Sequence, residues 1–341
     1  MECNAELGQV YLVNVKNRQF KTMVVNASFK FFLLLFLVLL AGCNESGSEF
    51  NSSQAQDGSS EEQPFVIKPE IYGDPDIFDG PRIQFAMSAP GENRDTIWSI
   101  KTDGTDLRQA VDYELLYGDG SGGFIHPPVR SPDNRYIVLS VARGVEFIEK
   151  QLIDLKTNTK ITFAEGGGIP LFQWNADSNE IFFHMDKNLW RYHVEQKTMT
   201  KEVKIGYQGT YYLRDKDQFF VVQKDGFELF DRKGKSIRKV VLNTKWGLKE
   251  WHQLSADGEL FVYNQKRGIK SYVIKTAYPS DIILDTKLRG DLGSFSKNGK
   301  QIYFRHGGFI ATLDVPTGEP SKLYSSPDGF GSISGVSLIN Y

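Results

Sequence analysis

Five histidines carry most of the ligand chemistry available in this sequence: His126, His184, His193, His252 and His306. No two of them form a local metal-binding pair. In a chain of repeated units, equivalent positions of successive units converge on one axis, so register can replace sequence spacing. Recurring turn residues stand at positions 133, 177, 217, 257 and 298, and seven places before them stand His126, Pro170, Thr210, Glu250 and Asp291. His252 lies two positions past Glu250, on the same face of a strand. His126, Glu250, His252 and Asp291 therefore form a candidate ligand site. Imidazole with carboxylates suits a divalent cation, but the plainer reading is polar lining of a wet channel. No metal and no cofactor is expected.

Other chemistry is thin. The sequence has no G-x-G-x-x-G, no G-x-x-x-x-G-K-[ST], no G-x-S-x-G and no H-E-x-x-H. Gly166-Gly167-Gly168 reads as a tight turn, since no helix pattern follows it to bind phosphate. Asp103, Asp154, Asp231 and Asp314 read as turn formers rather than acid/base partners. After Cys43 there are 36 basic and 40 acidic residues, a balance that argues against nucleic acid. The basic cluster from Arg232 to Lys239 reads as a solvated hairpin loop, with docking of an acidic partner or lipid headgroup as the alternative.

The elements that must position these residues are short strands. From about Pro64, aromatic and β-branched residues alternate with polar ones, and turn residues divide the runs. The clearest unit is Ser131-Pro132-Asp133-Asn134 followed by Arg135-Tyr136-Ile137-Val138-Leu139-Ser140. Related units begin near residues 79, 177, 217, 257 and 298, at spacings of 54, 44, 40, 40 and 41. A unit of about 40 residues with several strands matches a propeller blade. A lone four-stranded sheet cannot cover both apolar faces, whereas stacked blades can. The expectation is all-β, a six-bladed propeller, with seven blades as the runner-up. The Ser332–Leu338 stretch, or Phe65-Val66-Ile67 at the other end, can add the strand that closes the ring.

The repeat resembles the WD40-like (PD40-type) blade of TolB-type propellers over about residues 70 to 324. It matches well at 133, 257 and 298 and poorly at 79 and 217. That resemblance implies a protein- or peptide-binding module working through rim loops and the channel mouth. Some propellers with this blade pattern are oligogalacturonate lyases with a histidine-rich manganese centre, and this chain has too few clustered histidines to match them. A glycan-binding or carbohydrate-active propeller is therefore the alternative, and the reading leans away from an enzyme.

The N-terminal region points to an address. Lys30 precedes the apolar run Phe31–Leu40, which meets Leu40-Ala41-Gly42-Cys43 and then a Ser-rich polar stretch. Counted to Gly42 the run has 12 residues, roughly 18 Å of helix, too short to cross a bilayer. The segment resembles a bacterial lipoprotein signal with Leu40, Ala41 and Gly42 as lipobox. The resemblance implies lipidation of Cys43, which would be the sole cysteine of the mature chain. Residues 1–42 are then leader and signal, with Met23 a more ordinary start. Residues 43–63 are a flexible tether, and 64–341 form the propeller. Asn44 after the lipidated cysteine favours the periplasmic face of the outer membrane in a Gram-negative host. The expected partners are membrane lipid through Cys43 and an envelope protein or peptide, with a glycan as the alternative. The protein is expected to be monomeric.

Overall fold

The structure is a computed structural model. It describes residues 66–339 except 79, 119–122, 144–146, 169, 187, 204–208, 243–247, 266–270 and 287–290. Leu40, Ala41, Gly42, Cys43 and the tether lie outside the described residues. The compact unit runs from Pro64 to Tyr341. Its described residues form six antiparallel sheets, a six-bladed β-propeller. Among the described residues, helix is confined to Pro75–Phe78, Tyr113–Tyr117 and a single 3₁₀ turn at Arg214–Lys216.

Blade 4 shows the plan: inner strand Gly209–Leu213, second strand Gln218–Gln223, third strand Gly226–Asp231 and outer strand Ser236–Val241. Burial falls from the axis outward. Phe219, Phe220, Val221 and Val222 on the second strand are all buried, while the outer strand is almost wholly exposed. Neighbouring blades cover both faces of a second strand, so its apolar residues run consecutively instead of alternating. Ile137–Leu139 in blade 2 and Ile181–Phe183 in blade 3 repeat the pattern.

The recurrent turns have a shared cause. In blade 2, Ser131 Oγ donates to Asp133 Oδ1 at 2.5 Å and accepts from Tyr136 N–H at 2.8 Å. Asp133 Oδ1 also accepts from Arg135 N–H at 3.1 Å. Ser255 and Asp257 repeat this in blade 5, and Ser296 and Asn298 in blade 6. The residue after the acid or amide is left-handed: Asn134, Gly258 and Gly299 have φ of 61°, 73° and 67°. Such side chains offer the backbone a local turn, and Gly or Asn tolerates the positive φ. At Gly258 space adds a constraint, because a Cβ there would meet Leu213 Cδ2 at 2.6 Å.

Blade 4 departs from the pattern. Its second strand starts at Gln218, directly after Asp217, which is itself left-handed with φ 48°. In blades 3 and 5 that strand starts at Glu180 and Leu260, three residues past Asp177 and Asp257. The turn equivalence drawn at 217 is therefore offset by two residues.

The C-terminal strand closes the ring. Ser334–Ile339 pairs antiparallel with Arg82–Ser88 as the inner strand of blade 1. It also reaches both neighbours: Ser337 Oγ donates to Pro128 O at 2.6 Å, and Leu338 N–H donates to Ser294 Oγ at 3.1 Å. At the other end, Val66 and Ile67 are exposed and lie outside any strand. The next residues do the pairing: Glu70 N–H donates to Gln109 O at 2.7 Å and Gln109 N–H to Lys68 O at 2.9 Å. This segment borders the outer strand of blade 1 and leaves ring closure to the C-terminus.

Candidate functional site

The four channel residues lie on or beside inner strands, but at different registers. His126 sits between Phe124–Ile125 and Val129–Arg130 and donates its backbone N–H to Ser140 O at 3.0 Å. It is half-buried, and burial lowers its pKa. His252 is buried on the inner strand Leu248–Leu254 of blade 5 and pairs with Tyr263. Thr210 pairs with Val221. Each partner stands at the same depth in its second strand, so His252, rather than Glu250, is the ring equivalent of Thr210. Glu250 falls where pairing is irregular between Leu248 and His252, and Asp291 opens the inner strand of blade 6 opposite Arg305. The side chains of Glu250 and Asp291 lie outside the described residues. Among the described residues no group of three His, Cys, Asp or Glu is placed to hold a metal.

Two of the histidines join neighbouring blades. The Tyr211 hydroxyl lies 2.7 Å from His252 O and 2.7 Å from His252 Nδ1. A carbonyl can only accept, so the phenolic proton goes to it and Nδ1 carries the ring proton. The other edge of the imidazole lies against Gly209, where a Cβ would meet Cε1 at 2.3 Å. His184, 4% exposed on the second strand of blade 3, meets Thr210 Oγ1 of blade 4 through Nε2 at 2.5 Å. Burial pushes its pKa down to about 4.

That shift sets a pH dependence. The folded pKa is below the unfolded value of about 6.5, so His184 favours folding fully above pH 6.5 and loses that contribution as pH falls toward about 4. The contribution is on the order of 3 kcal/mol. His126, also lowered, acts with the same sign. Urea midpoints measured between pH 7.5 and 4.5 should fall more steeply for the native chain than for His184→Gln, which keeps a donor near Thr210 without titrating. Parallel profiles would exclude His184 as the group responsible.

A different site emerges where blades 3 and 4 meet, at the end carrying the recurrent turns. An open cleft of about 440 Å³ is lined by Asn175, Asp177, Asn179, Glu180, Tyr212, Arg214, Asp217 and Arg232. Arg232 bridges Glu180 Oε2 at 3.1 Å and Asp217 Oδ1 at 3.2 Å, and its guanidinium lies 5.5 Å from the centre of the Phe182 ring. Arg191 holds the other Glu180 oxygen at 2.7 Å. The Tyr212 hydroxyl donates to Asp217 Oδ1 at 2.5 Å. Burial, then that bond, pushes Tyr212 up to about 12. Asn175 is held by Asn179 and by the backbone N–H groups of Asn179 and Glu180. The polar wall is thus built before any ligand arrives. Sequence reasoning placed Arg232 in a solvated loop. The turn holds Arg232 to Lys235 while Ser236 to Lys239 lie on the exposed outer strand, and the Arg232 side chain folds back into this network.

No family model matches the chain, and no curated protein matches it. Solved structures do. TolB from Acinetobacter baumannii superposes with a TM-score of 0.58 at 18% identity, covering 76% of this chain and 66% of that one. The chain is similar in fold to TolB. A chain of a nidogen–laminin complex gives 0.58 at 10% identity, covering 76% of this chain and 99% of its own length. Oligogalacturonate lyase from Vibrio parahaemolyticus gives 0.46 at 13% identity, covering 69% and 74%. At such identities the likeness is one of fold.

Proposed function

We propose that the chain is a lipid-anchored docking module of the cell envelope whose propeller binds a protein or peptide. The carrying observation is the preformed polar cleft between blades 3 and 4, open to solvent and held by its own ion pairs. A rigid wall of this kind loses little freedom on binding, which favours affinity. Propellers of this fold do assemble with proteins, as the nidogen–laminin complex illustrates. The anchor rests on Cys43 after Leu40-Ala41-Gly42. A photo-crosslinking amino acid at Asp177 should capture an envelope polypeptide that the same group at exposed Ile283 does not. Equal capture at both positions would reject the cleft as the docking site. Cys43→Ser should abolish incorporation of labelled acyl chains; continued labelling would reject the anchor.

The second reading is a glycan-binding or carbohydrate-active propeller with its site at the channel mouth. It draws on His126 and His252, both on or beside inner strands, with Glu250 and Asp291 along the same ring. A His252→Ala variant that loses binding to an oligosaccharide panel, while Asp177 crosslinks nothing, would favour it.

A further inference from the structure

We propose that Arg214 anchors a carboxylate of the docked peptide in the cleft between blades 3 and 4. This rests on the docking reading and names the chemistry that such a site selects. Arg214 stands at the head of the 3₁₀ turn in blade 4. Its Nε donates to Trp174 O at 3.0 Å, which fixes the guanidinium against blade 3. Among the described residues it forms no ion pair, whereas Arg232 and Arg191 beside it are each paired to two carboxylates. The Nε bond orients the planar fork and leaves both Nη groups for a bidentate partner. The crowding protein lowers the Arg214 pKa, an effect that neighbouring Asp215 only partly offsets. Arg214 is nonetheless exposed, so its outer edge is open to an arriving anion. Arg232 is less suited to the task, because its charge is already committed to Glu180 and Asp217.

The wall favours a peptide over a sugar. Sugar faces are usually bound on an open aromatic ring, and among the described residues the one aromatic side chain lining the cleft is Tyr212. Its ring is packed against Phe182 and Phe219 at 4.6 and 5.4 Å, and only 9% of the residue is exposed. Asp177 and Asn179 can instead serve the amide groups of an extended chain.

The test is selection from a randomised short-peptide library against the full chain, followed by affinity measurement on resynthesised binders. Selected peptides should be enriched in Asp, Glu or a free C-terminus. Replacing that carboxylate by its amide should weaken binding roughly tenfold or more. Arg214→Gln should weaken the acid peptide to the same degree and leave the amide peptide unchanged. Arg214→Lys, which keeps charge but not the fork, should fall between. The acid-to-amide swap leaves the protein untouched and reads the carboxylate, and if Arg214→Gln melts early, Arg214→Lys carries the assignment. Binders indifferent to the carboxylate, or unaffected by Arg214→Gln, overturn the assignment while docking stands. Binding of a uronate oligosaccharide that is lost in Arg214→Gln, with no peptide selected, overturns the peptide assignment. Failure of every probe to bind removes the docking reading as well.

Discussion

Ending the chain after Gly331 should abolish the folded propeller. The missing segment is the inner strand of blade 1, Ser334–Ile339, together with Ile333. Ile333, Val336 and Ile339 are 0%, 6% and 2% exposed, and burying three such side chains is worth roughly 5–9 kcal/mol. The ladder to Arg82–Ser88 and the bonds to Pro128 and Ser294 go with them. A domain stable by about 5–15 kcal/mol has no reserve for such a loss. The truncated chain should yield little soluble protein and no cooperative urea transition. Adding a peptide of residues 332–341 in trans should restore part of both, because the gap it fills is shaped by blades 1, 2 and 6. A truncated chain that melts like the native one would show that the ring does not depend on this closure.

Closure was legible in the sequence because the C-terminal stretch has strand character and no blade of its own. The unit near residue 79 explains the other half. Gly80 is followed closely by Arg82–Ser88, which is a second strand, and among the described residues no inner strand lies upstream of it. Turns were legible for a local reason: Ser131 with Asp133 and Ser255 with Asp257 bond their own backbone, so composition reports conformation. The same logic failed at blade 4, where Asp217 itself takes the left-handed position and the strand starts two residues earlier than elsewhere. That offset moved the ring equivalent of Thr210 from Glu250 to His252. The cleft was not legible at all. Glu180 opens a strand of blade 3, Asp217 and Arg232 stand at separate turns of blade 4, and only stacking of the blades brings Arg232 within 3.1 Å of Glu180. Ion pairs between distant segments leave no periodic trace, whereas apolar strands and turn residues do.

The clearest such pair carries the second large effect. Glu70→Ala should destabilise the propeller by about 3–5 kcal/mol, the cost of stranding a buried charge. Glu70 Oε1 lies 2.6 Å from Arg130 Nη2, and both side chains are 3% exposed. Glu70 Oε2 accepts from Ser99 Oγ at 2.7 Å, and Ser99 Oγ accepts from Arg82 Nε at 3.0 Å. Arg82 in turn pairs with Asp106, which also holds Arg108. Arg130 has other acceptors, Gln84 Oε1 at 3.1 Å and Asn134 O at 3.4 Å, but neither is charged. Removing Glu70 therefore leaves a guanidinium between blades 1 and 2 without its counter-ion. The double variant Glu70→Leu with Arg130→Met separates the possible causes. If the loss is the stranded charge, the double variant should recover most of it, since an apolar pair of similar volume needs no desolvation to be repaid. If the loss is the docking of residues 68–70 on Gln109, the double variant should be no better than the single one. Thermal unfolding reads the difference, at roughly 2–4 °C per kcal/mol for a domain near this size. A Glu70→Ala transition within 2 °C of the native one, on that same scale, would mean that Arg130 finds water or another acceptor, and that the clamp on the propeller's N-terminal segment is held by the backbone bonds to Gln109 alone.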